Sequence, residues 1–273
     1  MMTSDKLLLG QATDYPQRYA PGVLFPIARR QGREALGLGE GALPFTGVDI
    51  WTHYEVSWLD ARGKPRVAVA EIRVPASSPS LIESKSLKLY FNSLNFERFG
   101  EAAAFTRLVE ADLSAAAGAP VTMALQPASA EGEGFAGLPG DCLDELEIAC
   151  EAFEVEPGLL RADPGRVVTE TLHTHLLRSR CPVTHQPDWA SVMIAYSGPA
   201  LDREGLLAYL VSYRNQSDFH EQCVERIFLD IQSRCRPASL TVYARYTRRG
   251  GLDINPFRST ESDGPPAARQ RRQ

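Results

Sequence analysis

Arg178-Ser179-Arg180-Cys181-Pro182-Val183-Thr184-His185-Gln186-Pro187-Asp188-Trp189 is the stretch whose reading decides the fold. Val167 to Leu177 alternates on one side of it, and the apolar run Trp189 to Tyr196 follows on the other. Two strands joined by a proline-bounded turn read as an antiparallel hairpin. The turn sets a thiol between two arginines, seven residues ahead of an acid. Nearby cations favour a thiolate, and a thiolate is a nucleophile. A buried, inert cysteine in a tight turn accounts for the same local residues.

Outward from the hairpin, the order of elements repeats. Residues 1–44 are rich in Gly and Pro and read as an extended segment, with Leu8-Leu9-Gly10-Gln11 and Leu24-Phe25-Pro26-Ile27 apolar enough to dock. In residues 45–156, Val48, Ile50, Tyr54, Val56 and Trp58 alternate with polar residues as a half-buried strand. The turn Asp60 to Gly63 leads to a second strand, Arg66 to Val74. Ser80 to Leu94 switches to helical spacing with Leu87, Tyr90, Phe91 and Leu94 as the inner stripe. A second helix, Glu101 to Ala117, stops at Gly118 and Pro120. Val121 to Leu125 is a strand, and Leu143 to Val155 is a further strand-like run. Glu156-Pro157-Gly158 is the expected boundary.

Residues 157–258 repeat the order: the hairpin, helices over Glu204 to Tyr213 and Phe219 to Ser233, and a closing strand, Leu240 to Tyr246. Residues 259–273 are polar and read as a disordered tail. The fold class is α+β: two tandem strand-strand-helix-helix-strand halves with antiparallel sheets carrying helices on one face.

Composition bounds the function. The 273 residues carry a net charge of −5, which argues against a nucleic-acid or membrane-surface binder. No apolar run reaches the ~20 residues of a membrane helix. Met1 to Leu9 does not read as a secretory signal, and the five cysteines are odd in number, so free thiols in a cytoplasmic protein are expected. Gly132-x-Gly134-x-x-Gly137 is followed by Leu138-Pro139-Gly140 rather than a helix, so a Rossmann crevice is excluded. Gly37-Leu38-Gly39-Glu40-Gly41 fails likewise at Pro44.

Two helix starts carry candidate chemistry. Ser80-x-x-Glu83 fits a capping box, yet Glu83 also lies on the stripe of Leu87 and Tyr90 and can face inward. Lys85 and Lys88 fit either a phosphate or a solvated face. Asp218-Phe219-His220-Glu221 echoes the pattern, with Asp218 as cap and Glu221 at the third position. Cys181, His185, His220 and Cys223 offer metal ligands, but the spacing is not that of a zinc knuckle or ribbon and no metal is expected. His173 and His175 share a strand face and read as surface or core residues.

Four separated motifs carry a resemblance. Glu83-Ser84-Lys85-Ser86-Leu87-Lys88-Leu89-Tyr90 with Asn92-Ser93, then Cys181-Pro182-Val183-Thr184-x-Gln186-Pro187-Asp188-Trp189, then Phe219-His220-Glu221, and last Arg248-Arg249-Gly250-Gly251-Leu252-Asp253-Ile254-Asn255-Pro256 resemble the NADPH-dependent 7-cyano-7-deazaguanine reductases, in their long two-half form. The resemblance runs from about Leu8 to Arg258. It implies the tunnelling fold, a homodimer, and a role in queuosine biosynthesis, a tRNA modification pathway, without direct nucleic-acid contact.

It also implies roles for named residues. Cys181 is the nucleophile that forms a thioimide, and Asp188 the proton donor, which must then be protonated when substrate arrives. His220 assists at the base. Ile82, Glu83, Ser84, His220 and Glu221 contact the deazapurine; Ser84, Lys85, Arg249 and Gly250 hold NADPH, two of which are consumed per turnover. The pocket is expected between halves or between subunits, with one site per chain, because the turn from Asp60 to Lys64 lacks a cysteine. Two other readings stand beside this one: a zinc-dependent pterin-type cyclohydrolase using Cys181 and histidines, and a non-catalytic purine-binding protein in which Cys181 is inert.

Overall fold

The structure, a computed structural model, describes residues 15–39, 41–130, 134–261, 264–265 and 269–273. The apolar Leu8 to Gln11 segment and part of the Gly132–Gly137 match lie outside them. The chain divides into two compact units. The first comprises residues 1–39, 49–132 and 248–253, and the second 40–48, 133–247 and 254–273. The boundary expected at 156–157 therefore falls inside the second unit.

In the first unit, β1 (Pro26–Ala28) pairs antiparallel with β4 (Ser80–Ile82), Ile27 lying opposite Leu81. Between them in sequence come α1 (Arg29–Ala35), β2 (Thr46–Leu59) and β3 (Pro65–Pro75). Arg29 begins α1 fully buried, its guanidinium on Asp49 at 2.5 Å and on the Ser78 hydroxyl at 3.0 Å. Sequence patterning gave no sign of α1 or of this ion pair, because short helices carry little periodicity.

Helices α2 (Ser84–Ser93) and α3 (Ala102–Ala117) follow, then β5 (Thr122–Pro127), and the sheet of this unit runs β5-β3-β2. The expected stripe is real: Leu87, Tyr90, Phe91 and Leu94 are all buried. Trp58 stacks on Phe105 of α3 with ring centroids 4.7 Å apart. Gly118 ends α3 in the left-handed conformation, its N–H donating to Ser114 O, as a helix C-terminus prefers.

One expectation is corrected here. Ser80 does not begin the helix; it belongs to β4, and Glu83 is itself the cap. Pairing with β1 holds Ser80–Ile82 extended, so the helix can open only at Ser84.

The second unit begins its regular structure with β6 (Asp141–Cys142), a two-residue parallel bridge to the long strand β7 (Ala162–Arg180). The strand expected over Leu143 to Val155 is not formed. Only Leu143 donates onward, to His173 O, and the chain then turns away. Strands β7 and β8 (Pro187–Leu201) form the hairpin, followed by α4 (Arg203–Val211), α5 (His220–Cys235), β9 (Ser239–Tyr246) and β10 (Leu252–Ser259). The order in this unit is β10-β9-β8-β7-β6, antiparallel throughout except at β6.

Strand β10 was not anticipated; it occupies the stretch read only as a binding motif. Leu206, Leu207 and Leu210 of α4 and Val224, Ile227, Phe228 and Ile231 of α5 are buried, as their spacing requires. Arg258 of β10 is wholly buried, pairing with Glu225 at 2.8 and 3.1 Å and lying over Phe45. At the end of the segment read as a tail, the described residues 269–273 close a turn in which Gln270 and Gln273 are buried. Gln273 donates to Tyr246 O and to the Asn255 side chain.

The molecule is thus α+β with largely antiparallel sheets, and the strand-strand-helix-helix-strand order appears twice. No helix among the described residues is long and apolar enough to cross a membrane.

Candidate active site

The β7–β8 register places the proposed nucleophile and acid. Ser179 pairs with Asp188 and Arg180 with Pro187, while the Cys181 N–H donates to Gln186 O at 2.9 Å. Opposed residues of an antiparallel pair share a face, and so do residues two apart on one strand. Ser179, Cys181 and Asp188 therefore share a face, and all three are buried. As diagonal neighbours at the end of the pair, Cys181 and Asp188 are spaced by roughly 7–8 Å, their Cβ atoms somewhat less. A small molecule placed on this face can touch both.

The turn is held tightly. Pro182 fixes its own φ and Pro187 opens β8, where no ladder donor is lost. His185 closes the turn by donating to Cys181 O at 3.0 Å, and does so with φ at +57°. For a non-glycine residue that conformation costs roughly 1 kcal/mol. The flanking arginines are occupied elsewhere. Arg178 donates to Arg214 O and lies 5.7 Å from the Trp189 ring centroid, and Arg180 donates to the Asn215 side chain at 2.6 Å. Their named partners anchor the hairpin to the Arg214–Ser217 segment, a structural job the sequence reading assigned instead to the thiol.

Helix α5 covers the same face. His220, its first residue, brings Nε2 to 3.4 Å from Asp188 Oδ2 and stacks flat on Tyr246, the centroids 3.7 Å apart and the planes at 3°. Tyr246 lies opposite Ala190 in the β8–β9 register, hence on the face of Asp188. His220 Nδ1 is buried with no hydrogen-bond partner among the described residues. Behind this cluster, burial raises the Cys223 thiol and the Tyr246 hydroxyl well above their ordinary pKa values. Both stay protonated, so Cys223 is inert, whereas Cys181, also buried, stands in the turn itself. All five cysteines are free.

Tyr246 was missed in the sequence, although its place as the last residue of an alternating strand was visible. Glu221 is buried at the second position of α5, not the third: Phe219 caps the helix and the Gln222 side chain accepts from its N–H at 3.2 Å. Asp218, expected to cap, accepts instead from Gln216, and burial raises its pKa.

The remaining predicted residues gather in the first unit. The Glu83 carboxylate, almost fully buried, accepts from the Lys85 and Ser86 N–H groups at 2.9 and 2.7 Å. Its backbone N–H donates to the O of Phe25, the residue before β1, and so ties the start of α2 to that segment. Ile82 is buried beside it, and Ser84 and Lys85 form the first turn.

Arg249 and Gly250 lie on a turn docked onto β2: the Tyr54 N–H and His53 Nδ1 both meet Gly251 O, at 2.9 and 3.1 Å. Gly250 and Gly251 are left-handed, and a Cβ on Gly251 would come within 2.3 Å of the Glu55 carboxyl. Lys88 of α2 packs against Gly250, its Nζ 3.2 Å from where a Cβ would stand. A lysine set against the backbone of two left-handed glycines is a setting that suits a phosphate-bearing ligand. His53, unremarked in the sequence, sits edge-on to Phe91; burial lowers its pKa and keeps it neutral.

The metal set considered from sequence is not assembled. Among the described residues, the His, Cys, Asp and Glu side chains that bring donor atoms together are Cys142, His173 and His175. A surface cavity elsewhere in the second unit, lined by Leu146, Arg166, Glu170, Leu201 and Arg203, contains none of the predicted site residues.

Fold and site define an α+β protein that presents a thiol and a carboxylic acid on one buried sheet face, against a histidine from a helix start. Residues 15–125 match the family described as "Nitrile reductase, 7-cyano-7-deazaguanine-reductase N-term", and residues 187–265 match "QueF-like protein". The Cys181 turn lies between the two. A protein of Dechloromonas aromatica named NADPH-dependent 7-cyano-7-deazaguanine reductase is 57% identical over 92% of this chain and 89% of its own length. One of the same name from Bordetella pertussis is 56% identical over 95% of each. The apo archaeosine synthase QueF-Like shares 20% identity over 37% of this chain with a TM-score of 0.31, too partial a likeness to define the fold. The chain belongs to the family of NADPH-dependent 7-cyano-7-deazaguanine reductases.

Proposed function

We propose that this chain reduces the nitrile of 7-cyano-7-deazaguanine to the primary amine of 7-aminomethyl-7-deazaguanine, consuming two NADPH and two protons, in queuosine biosynthesis. The observation that carries the chemistry is the shared buried face of Cys181 and Asp188 with His220 against the acid. Family membership supports the substrate and the reductant. The same resemblance supports the tunnelling fold and a homodimer.

Cys181 adds to the nitrile carbon, forming the C–S bond of a thioimide, while Asp188 gives its proton to the nitrile nitrogen. His220 then stands over an ionised Asp188, and its imidazole, held flat by Tyr246, can restore that proton. Expulsion of Cys181 as a thiolate after the first reduction leaves an imine for the second. Glu221 offers acceptor oxygens to the N–H edges of the deazaguanine ring; Ile82, Glu83 and Ser84 are proposed substrate contacts on the family resemblance. Glu83 is held as an acceptor by two helix N–H groups. Ser84, Lys85, Arg249 and Gly250 would hold NADPH, and the close approach at Gly250 fits a phosphate better than a side chain would. When bound, NADPH supplies the hydride.

The test omits NADPH. Protein mixed with the nitrile gains the mass of one substrate and a thioimide absorbance, and Cys181→Ala gains neither. Equal adduct in that variant removes Cys181 as the nucleophile. With NADPH present, two equivalents are oxidised per amine formed.

A further inference from the structure

Residues 139–144 lie along β7 in the second unit, and they bring an exposed thiol to two imidazoles. The parallel bridge sets Cys142 opposite His173, and the Leu143 N–H donates to His173 O at 2.8 Å. His173 and His175, two apart on β7, share a face. One donor atom from each of Cys142, His173 and His175 lies within 4.8 Å of the other two.

Both rings are oriented from behind. His173 Nδ1 meets Pro139 O at 3.1 Å; a carbonyl can only accept, so Nδ1 carries the proton and Nε2 presents a lone pair. His175 Nδ1 meets the Ser191 hydroxyl at 2.7 Å. A polar partner on the second nitrogen is the arrangement that fixes a ligating imidazole. The backbone between the histidines is pinned as well: Asp144 accepts from the Thr174 hydroxyl at 2.5 Å and from the His175 N–H at 3.0 Å. Gly140 permits the approach, with φ at +85° and a would-be Cβ only 2.0 Å from Thr171 O.

We propose that Cys142, His173 and His175 bind a zinc-class divalent cation, with a fourth position open to water, pinning the 139–144 segment onto β7. One thiolate and two imidazoles select a borderline-soft, tetrahedral ion over magnesium or calcium. The bond lengths of such a site set its donors about 3.3–3.8 Å apart, so a small inward turn of the exposed Cys142 closes it. None of the three residues belongs to the proposed nitrile chemistry, and the site is a staple rather than a catalytic centre. Binding displaces the thiol proton, so affinity rises with pH.

The full chain, stripped with a chelator, is titrated with Co²⁺ and followed by its thiolate charge-transfer and tetrahedral ligand-field bands. One equivalent is expected to give both, in wild type and in Cys181→Ala alike. Cys142→Ser, a change at an exposed position, removes the charge-transfer band, and His175→Gln weakens binding at least about 10-fold. Zn²⁺ then raises the melting temperature of wild type but not of Cys142→Ser. Absence of tetrahedral bands, a charge-transfer band that survives Cys142→Ser, or one lost in Cys181→Ala overturns the site.

Discussion

The turn between β2 and β3 and the turn between β7 and β8 each reverse an antiparallel pair at the same place in the repeated order. In the first, Asp60 accepts from the Arg62 and Lys64 N–H groups, Gly63 takes the left-handed position, and nearby N–H groups and Arg66 hold the Asp60 carboxyl below its usual range. Everything in that turn serves the turn. In the second, backbone bonds close the loop, His185 takes the left-handed position, and the thiol and acid face the sheet surface under α5.

The two helix starts divide the same way. Glu83 caps α2 with its own carboxylate, whereas the cap of α5 falls to Gln222, and Glu221 is buried one position earlier. The two matching positions thus differ in local work: one carboxylate caps its own helix, and the other leaves the capping hydrogen bond to a neighbour.

The largest effect that would sharpen this comparison is at Asp188. Asp188→Asn keeps the fold and the β7–β8 register but cannot donate the proton, so turnover with NADPH falls about 10²–10⁴-fold. Near-normal turnover would take Asp188 out of the mechanism. Placing a cysteine in the other turn, Arg62→Cys, adds no second nitrile equivalent by intact mass, since the acid of that turn, Asp60, is engaged by the turn N–H groups and Arg66.

Next come the caps. Glu83→Ala strips the acceptor from two N–H groups and lowers stability by about 1–2 kcal/mol, read as a urea midpoint, while Gln222→Ala costs about 0.5–1 kcal/mol. Equal costs would erase the distinction between the two helix starts.

The smallest effect is at His53. Its pKa is lowered in the folded chain, so the unfolded chain binds the proton first as pH falls. The stability this group contributes is present above the unfolded value near 6.5. It is lost as pH drops from there towards the folded value, by up to about 1.4 kcal/mol per pH unit. His53→Asn, which keeps a donor toward Gly251, should flatten that loss between pH 7.5 and 5.5.

Where periodicity was long, the sequence was a sound guide: the stripe of α2, the inner faces of α4 and α5, and both hairpins all stand where their spacing put them. It failed at short elements whose partners are distant. Ser80–Ile82 was drawn into the helix because only β1, some fifty residues earlier, makes it a strand. Leu143 to Val155 alternates yet has no second edge to pair with beyond Leu143. Strand β10 hid inside a motif read for its chemistry.

The sequence by itself determined the α+β class, the repeated order and the residue types of the proposed nitrile chemistry, because these depend on spacing along one strand or helix and on motifs a few residues long. Tertiary structure alone decided that the hairpin face of Cys181 and Asp188 meets His220 and Tyr246, that Cys223 is inert, and that Cys142 meets His173 and His175. Those facts depend on strand register and helix placement, which bring together residues 26 to 65 positions apart.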